Sequence, residues 1–146
     1  MTRIINSAGL ALIQEFEGCR LEAYQDQKGV WTIGYGHTAG VKQGDTCSQE
    51  QANLYLESDL EVAEDAVSRL VTVPLNDNEF AALVSFVFNE GQGNFAESTM
   101  LRKLNDGGYT VVPTYLRSWI FVDGHQDEGL KNRRNAEATL FKMVSA

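Results

Sequence analysis

The stretch EGCRLEAYQDQKGVWTIGYGHT, residues 17–38, decides how the rest of the chain is read. It opens on Glu17, passes Asp26 in a run of turn-forming residues and Thr32 in a β-forming run, and closes on paired glycines. Eight residues separate Glu17 from Asp26, and five separate Asp26 from Thr32. Two carboxyl groups held in unlike local structures take on unlike proton affinities, which an acid and its partner in bond cleavage require.

Upstream, Ser7 reads as a helix N-cap. Leu10, Ile13 and Glu17 then fall on one helical face, widened by Leu12 and Phe16. Gly18 is a natural stop. Glu17 is thus expected at the C-terminal end of a helix, in line with its buried face. Burial and the negative end of the helix both favour the protonated form of a carboxyl placed there, and a general acid donates from that form. Downstream, Leu21–Tyr24 reads as a strand, Asp26–Gly29 as a turn and Val30–Ile33 as the returning strand. Alternation sets Thr32 opposite to Trp31 and Ile33. Gly34 and Gly36 fall on the Thr32 face and leave space of the kind an approaching ligand needs. His37 reads as a structural histidine.

Beyond this stretch, Gly40, Gly44 and Asp45 mark a loop. Ser48 and Gln51 form a capping pair ahead of a long helix running to about Val71. Its buried stripe is Ala52, Leu56, Leu60, Ala63, Val67 and Leu70, and Glu50, Glu57, Asp59, Glu61, Glu64 and Asp65 read as its solvated face. At about 35 Å such a helix can bridge two lobes. After Pro74, Asn76 and Glu79 cap a helix apolar nearly all round, from Phe80 to Phe88. Residues 89–94 read as a loop and Ser98–Asn105 as a short helix. Pro113 opens a helix carrying Tyr115, Leu116 and Trp119. A Gly- and Asp-rich loop then leads to a last helix from about Leu130 to Val144. The layout is α+β and mainly helical, with a small antiparallel hairpin near the N-terminus.

At 146 residues and 43% apolar content, the chain can bury a real core. No apolar run is long enough to span a membrane, and no signal peptide is expected. A net charge of −8 argues against nucleic acid as partner; the basic groups gather late, at Lys131, Arg133 and Arg134. Cys19 and Cys47 are too few for a disulfide scaffold and read as free thiols. With His37 and His125 they lack any zinc-ligand spacing.

The Glu-x8-Asp-x5-Thr spacing and the block TIGYGHT at 32–38 resemble the phage-type lysozymes, the endolysins of glycoside hydrolase family 24. The blocks VPLNDNEFAALVSFVFNEG (73–91), STMLRKLN (98–105) and GLKNRR (129–134) extend the resemblance over nearly the whole chain. It implies a single lysozyme-like domain over 1–146. A small lobe at about 20–48 is joined by the long helix to a helical lobe at about 74–146, packed with helix 7–17. It also implies hydrolysis of the β-1,4 bond between N-acetylmuramic acid and N-acetylglucosamine in peptidoglycan. Glu17 would protonate the leaving oxygen, and Asp26 and Thr32 would hold the attacking water, or Asp26 would stabilise oxocarbenium charge. Tyr24, Gly36 and Arg133 become candidates for substrate binding, with Arg133 facing Glu17. No metal or cofactor is implied. The protein is expected to be a monomer that accumulates in the host cytoplasm and reaches the wall in the periplasm through a holin-made lesion. Departures lie at Gly124-His125-Gln126, where relatives often have Gly-Gly-Lys, and at Cys19 and Cys47, where aliphatic residues are common.

The rivals are a lytic transglycosylase, which needs no water-holding pair, a wall-binding protein without activity, and a helical structural protein. Asp26 and Thr32 at family spacing weigh against the first, the full catalytic set against the second, and the hairpin against the third.

Overall fold

The computed structural model describes residues 3–143. Helix α1 (Ser7–Glu17) is followed by strands β1 (Arg20–Gln25) and β2 (Trp31–Gly34) and by helix α2 (Gln49–Leu70). Next come α3 (Asp77–Glu90), α4 (Gln92–Ala96), α5 (Thr99–Asn105), a 3-10 turn (Tyr109–Val111) and α6 (Val112–Arg117). A two-residue hairpin, β3 (Phe121–Val122) and β4 (His125–Gln126), precedes α7 (Glu128–Lys142). The expected extension of the last helix to Val144 lies outside the described residues. No described helix is long and apolar enough to cross a membrane. The chain forms two compact units, Gln14–Glu61 and Met1–Ile13 with Val62–Ala146, and the divisions fall inside α1 and α2.

In the unit Gln14–Glu61, β1 and β2 pair antiparallel with Tyr24 opposite Thr32 and Gln25 opposite Trp31, and a bulge lies between Arg20 and Tyr24. The other edge of β1 is covered by residues 45–47: the Ala23 amide donates to Asp45 O, and the Cys47 amide to Leu21 O, both at 2.9 Å. Such cover protects a strand edge that would otherwise expose unpaired peptide groups. Ser48 caps α2 by accepting from the Gln51 amide at 3.0 Å. Ala52, Leu56 and Leu60 are buried as the periodicity requires. Gly34 (φ +64) does not make room for a ligand. A Cβ there would stand 3.3 Å from the Ala52 Cβ, so its bareness admits α2.

The other unit is built around α3, whose residues from Phe80 to Val87 are all buried. Asn76 and Glu79 form the expected capping box, and α7 packs on α3 and α6. Gly9 lets α1 approach α3 closely, since a Cβ there would lie 2.6 Å from the Ala81 Cβ. The α1 cap is Asn6 rather than Ser7: Asn6 Oδ1 accepts from the Gly9 amide at 3.0 Å, one residue ahead of the expected position. Residues 89–94 are not one loop, because α3 runs on to Glu90 and α4 begins at Gln92, with Gly91 (φ +94) between them. Trp119 lies past the end of α6 and packs edge-on against Phe86 at 5.4 Å. The loop before α7 contains the β3–β4 hairpin, turned by Asp123 (φ +50) and Gly124 (φ +81). Asp-Gly with two positive φ values is a strong hairpin signal.

Charged residues are inside, and one of them, Glu64, was expected on the solvated face of α2. Glu64 is 4% exposed and accepts from the Ile5 amide at 2.8 Å, which ties the chain before α1 to α2. Arg134 is fully buried, so the late basic run is not a surface patch. Arg134 Nε lies 3.1 Å from Glu137 Oε1, its Nη1 lies 3.8 Å from Glu90, and its guanidinium also bonds Asn89 and stacks over Phe86 at 5.0 Å. Glu137, equally buried, accepts from the Ser85 hydroxyl at 2.5 Å, and Arg133 Nε stands 3.4 Å away. Burial pushes the Glu137 carboxyl up from the ordinary carboxylate range, while Arg134, the Ser85 hydroxyl and Arg133 pull it back. Burial likewise lowers Arg134.

Removing one partner of a buried ion pair strands the other's charge. Glu137→Ala is therefore expected to cost about 3–5 kcal/mol of folding stability, read from the shift in urea midpoint. A loss below about 1 kcal/mol, the scale of exposed ion pairs, would show that the guanidiniums do not depend on this carboxylate.

Candidate active site

Glu17 is the last residue of α1, and its side chain is half-buried. The helix stops there because Gly18 adopts φ +67 while its amide still donates to Gln14 O at 3.1 Å. After β2 the chain turns sharply: Ile33 and His37 exchange both backbone hydrogen bonds, at 2.8 and 2.9 Å. That turn brings Gly36 (φ +83) against Glu17, so that a Cβ on Gly36 would lie 3.3 Å from Glu17 Oε1. Sequence reasoning assigned Gly36 to the substrate. What its missing side chain accommodates in this structure is the Glu17 carboxyl.

Asp26 is exposed and opens the β1–β2 turn. Its Oδ1 accepts from the amides of Lys28 (2.8 Å) and Val30 (2.9 Å). Its own amide donates to Val30 O, and its carbonyl accepts from the Gly29 amide, both at 2.9 Å. The turn therefore sets the carboxylate's rotamer, an Asx arrangement that suits aspartate at this position. Oδ2 accepts no hydrogen bond from the described residues. Thr32 is 4% exposed, and its hydroxyl donates to Val30 O at 2.9 Å. Tyr24 pairs with Thr32 across the ladder, and the Arg20 guanidinium lies 4.5 Å from the Tyr24 ring centre. Asp26, Thr32 and Tyr24 are thus gathered on one turn and one strand pair.

Arg133 belongs to the other unit, on α7. It is 4% exposed, and its Nη2 makes long contacts of 3.4 Å with Ser85 O and Oγ.

His37 is structural, as read: its Nδ1 lies 2.8 Å from Asp59 Oδ2, and its ring stacks on Tyr55 at 4.0 Å. This explains Asp59, which is half-buried rather than solvated. A contact between residues 22 positions apart leaves no local signal in the sequence. Cys19 and Cys47 are free and half-buried. Burial, with the neighbouring Cys19 second, raises the Cys47 thiol, and a thiol held protonated is a poor nucleophile. Among the described residues, no group of three or more His, Cys, Asp or Glu is placed to hold a metal ion.

The site and the fold around it have clear counterparts among known proteins. Residues 14–137 match the family described as phage lysozyme, and the chain belongs to that family. It is a glycoside hydrolase of lysozyme type. An endolysin of Acyrthosiphon pisum secondary endosymbiont phage 1 is 41% identical over 144 residues, covering 96% of this chain and 99% of its own. The muramidase domain of SpmX from Asticaccaulis excentricus superposes with a TM-score of 0.91 at 39% identity, covering 97% of this chain and 100% of that one. A mutant of P22 lysozyme gives 0.87 at 40% identity, covering 95% and 98%.

Gly36→Ala tests the contact with Glu17. A left-handed non-glycine residue costs about 1–2 kcal/mol, and the new methyl also displaces the carboxyl. Gly40→Ala is the control, because Gly40 has a similar φ (+73) and nothing within 4 Å of its added Cβ. Both variants should lose comparable stability in thermal melts. Only Gly36→Ala should lose turnover, by about tenfold or more, since misplacement on the ångström scale costs up to about 10²-fold. Equal turnover in the two would overturn this reading of Gly36.

Proposed function

We propose that this chain cleaves the β-1,4 bond between N-acetylmuramic acid and N-acetylglucosamine in peptidoglycan, with Glu17 as general acid and Asp26 and Thr32 as the pair that holds the attacking water. The observation that carries this reading is the contrast between the two carboxyl groups. Glu17 is half-buried at a helix end against Gly36, whereas Asp26 is exposed in a turn with one oxygen engaged by amides and the other open. Unlike surroundings for two carboxyl groups divide the work of acid and base.

Glu17 gives its proton to the glycosidic oxygen as that bond breaks. Water, deprotonated by Asp26, attacks the anomeric carbon from the other face, and direct attack inverts the configuration. A lytic transglycosylase would close the muramyl ring on itself and would have no use for a water-holding pair. Mass spectrometry of digested, purified peptidoglycan separates the two: hydrated reducing ends are expected, and 1,6-anhydro ends would overturn hydrolysis.

General acid–base catalysis contributes about 10²–10⁴-fold. Glu17→Gln should therefore lose at least that much turnover with an unchanged melting temperature, because the amide keeps the shape without the acidic proton. Asp26→Asn and Thr32→Ala should also slow the reaction without unfolding the protein.

The likeness to proteins described as endolysins supports accumulation in the host cytoplasm and release to the wall through a lesion made by a holin. Expression in a Gram-negative host with and without a holin checks this. Lysis is expected only with the holin, and lysis without it would refute this route.

A further inference from the structure

We infer that the main-chain carbonyl of Val30 turns the Thr32 hydroxyl into a pure hydrogen-bond acceptor toward the attacking water, which makes Val30 a positioning residue of this site. The inference rests on the proposed roles of Glu17, Asp26 and Thr32.

A threonine hydroxyl has one proton and two lone pairs. Thr32 Oγ1 lies 2.9 Å from Val30 O. A carbonyl oxygen carries no proton, so the proton in that contact is the one on Thr32. Only lone pairs of Oγ1 then remain for any other partner. An ionised carboxylate is also acceptor-only, and Asp26 has Oδ1 engaged by the Lys28 and Val30 amides at 2.8 and 2.9 Å. A water held between Asp26 and Thr32 therefore meets two acceptors and no donor. It gives a proton to each and keeps its own lone pairs unengaged. A hydroxyl free to rotate would donate to the water part of the time and occupy the electrons that must attack.

The same carbonyl does a second task. Val30 O also accepts from the Asp26 amide at 2.9 Å, while the Val30 amide donates to Asp26 Oδ1. Two successive peptide groups of one residue thereby fix the backbone and the carboxylate of Asp26 and the rotor of Thr32 relative to one another.

In the chemical step, the water oxygen bonds to the anomeric carbon and one water proton passes to Asp26. The bond from that carbon to the glycosidic oxygen breaks as the oxygen takes the Glu17 proton. Thr32 keeps its own proton throughout, because a peptide carbonyl is too weak a base to remove it.

Neutron crystallography of the deuterium-exchanged protein tests the claim directly. The Thr32 deuteron should lie on the line to Val30 O; a deuteron directed toward Asp26 or into solvent overturns the inference. Kinetics on solubilised peptidoglycan supply the second arm. Thr32→Ser, which keeps the hydroxyl, should hold kcat within about threefold, the scale of a modest change in one hydrogen bond. Thr32→Val, which keeps the shape, should lower kcat by about tenfold to a hundredfold while KM moves less than about twofold. A merely structural threonine would lower the melting temperature without separating kcat from KM. If Thr32→Val does not fold, the neutron result still decides. Glu17→Gln is assayed beside them. Normal turnover in that variant removes the underlying site reading, whereas an inactive Glu17→Gln with wild-type turnover in Thr32→Val removes this inference and the water-holding role of Thr32 while leaving Glu17 as the acid.

Discussion

The Glu17 carboxyl occupies the space that a side chain at residue 36 would fill, 3.3 Å from where its first carbon would stand. Much of the unit Gln14–Glu61 follows from meeting that condition. α1 ends at Glu17, and Gly18 at φ +67 turns the chain away so that the hairpin can return toward the carboxyl. β2 must be short and must fold back through the Ile33–His37 exchange to bring residue 36 there at all. His37, the next residue, is then fastened to α2 by the Tyr55 stack and by Asp59. Gly34 lets α2 come close enough for that fastening. Three glycines at positive φ are a cost in stability, and they stand where the chain must pass a neighbour or reverse direction.

The other unit handles charge differently. α3 is apolar on almost every side, yet the helix packed on it brings Arg133, Arg134 and Glu137 inside. Ser85, a hydroxyl amid apolar residues, supplies a donor for the carboxylate. Phe86 offers its ring face to Arg134, a contact that a planar guanidinium makes well. Buried charge of this kind is weak evidence for net stability. It does restrict how α7 can seat on α3, because a rotation or slide of either helix would leave an ionic group facing hydrocarbon.

Periodicity made most of this fold legible. The stripes of α1, α2 and α3, the hairpin, the caps at Ser48 and Asn76, and Pro113 in the first turn of α6 all follow from local rules, because each involves neighbours within about one helical turn. The failures involve partners far apart in sequence. Glu64 reads as one more acid on a solvated face until the Ile5 amide, 59 residues away, is placed against it. Gly34 reads as space for a ligand until Ala52 fills that space. Arg134 reads only as part of a late basic cluster until Glu137 and Glu90 are placed against it. The β3–β4 hairpin is a different case, since its Asp-Gly turn was visible and a two-residue strand was too short to register against it. In the candidate site, Glu17, Asp26 and Thr32 were legible as residue types at a spacing. The hydrogen bonds that orient Asp26 and Thr32 were not, because they belong to main-chain atoms that every residue possesses.

That last point bears on what natural variation can reveal at position 30. The Val30 side chain is 43% exposed, while its peptide groups make three hydrogen bonds with Asp26 and Thr32. Selection acting there sees a backbone, and nineteen of the twenty amino acids supply the same amide and carbonyl; proline alone lacks the N–H. A family of sequences can therefore drift freely at this position, polar in one member and aromatic in another, while its geometric role stays constant. The only trace left in an alignment would be the missing proline.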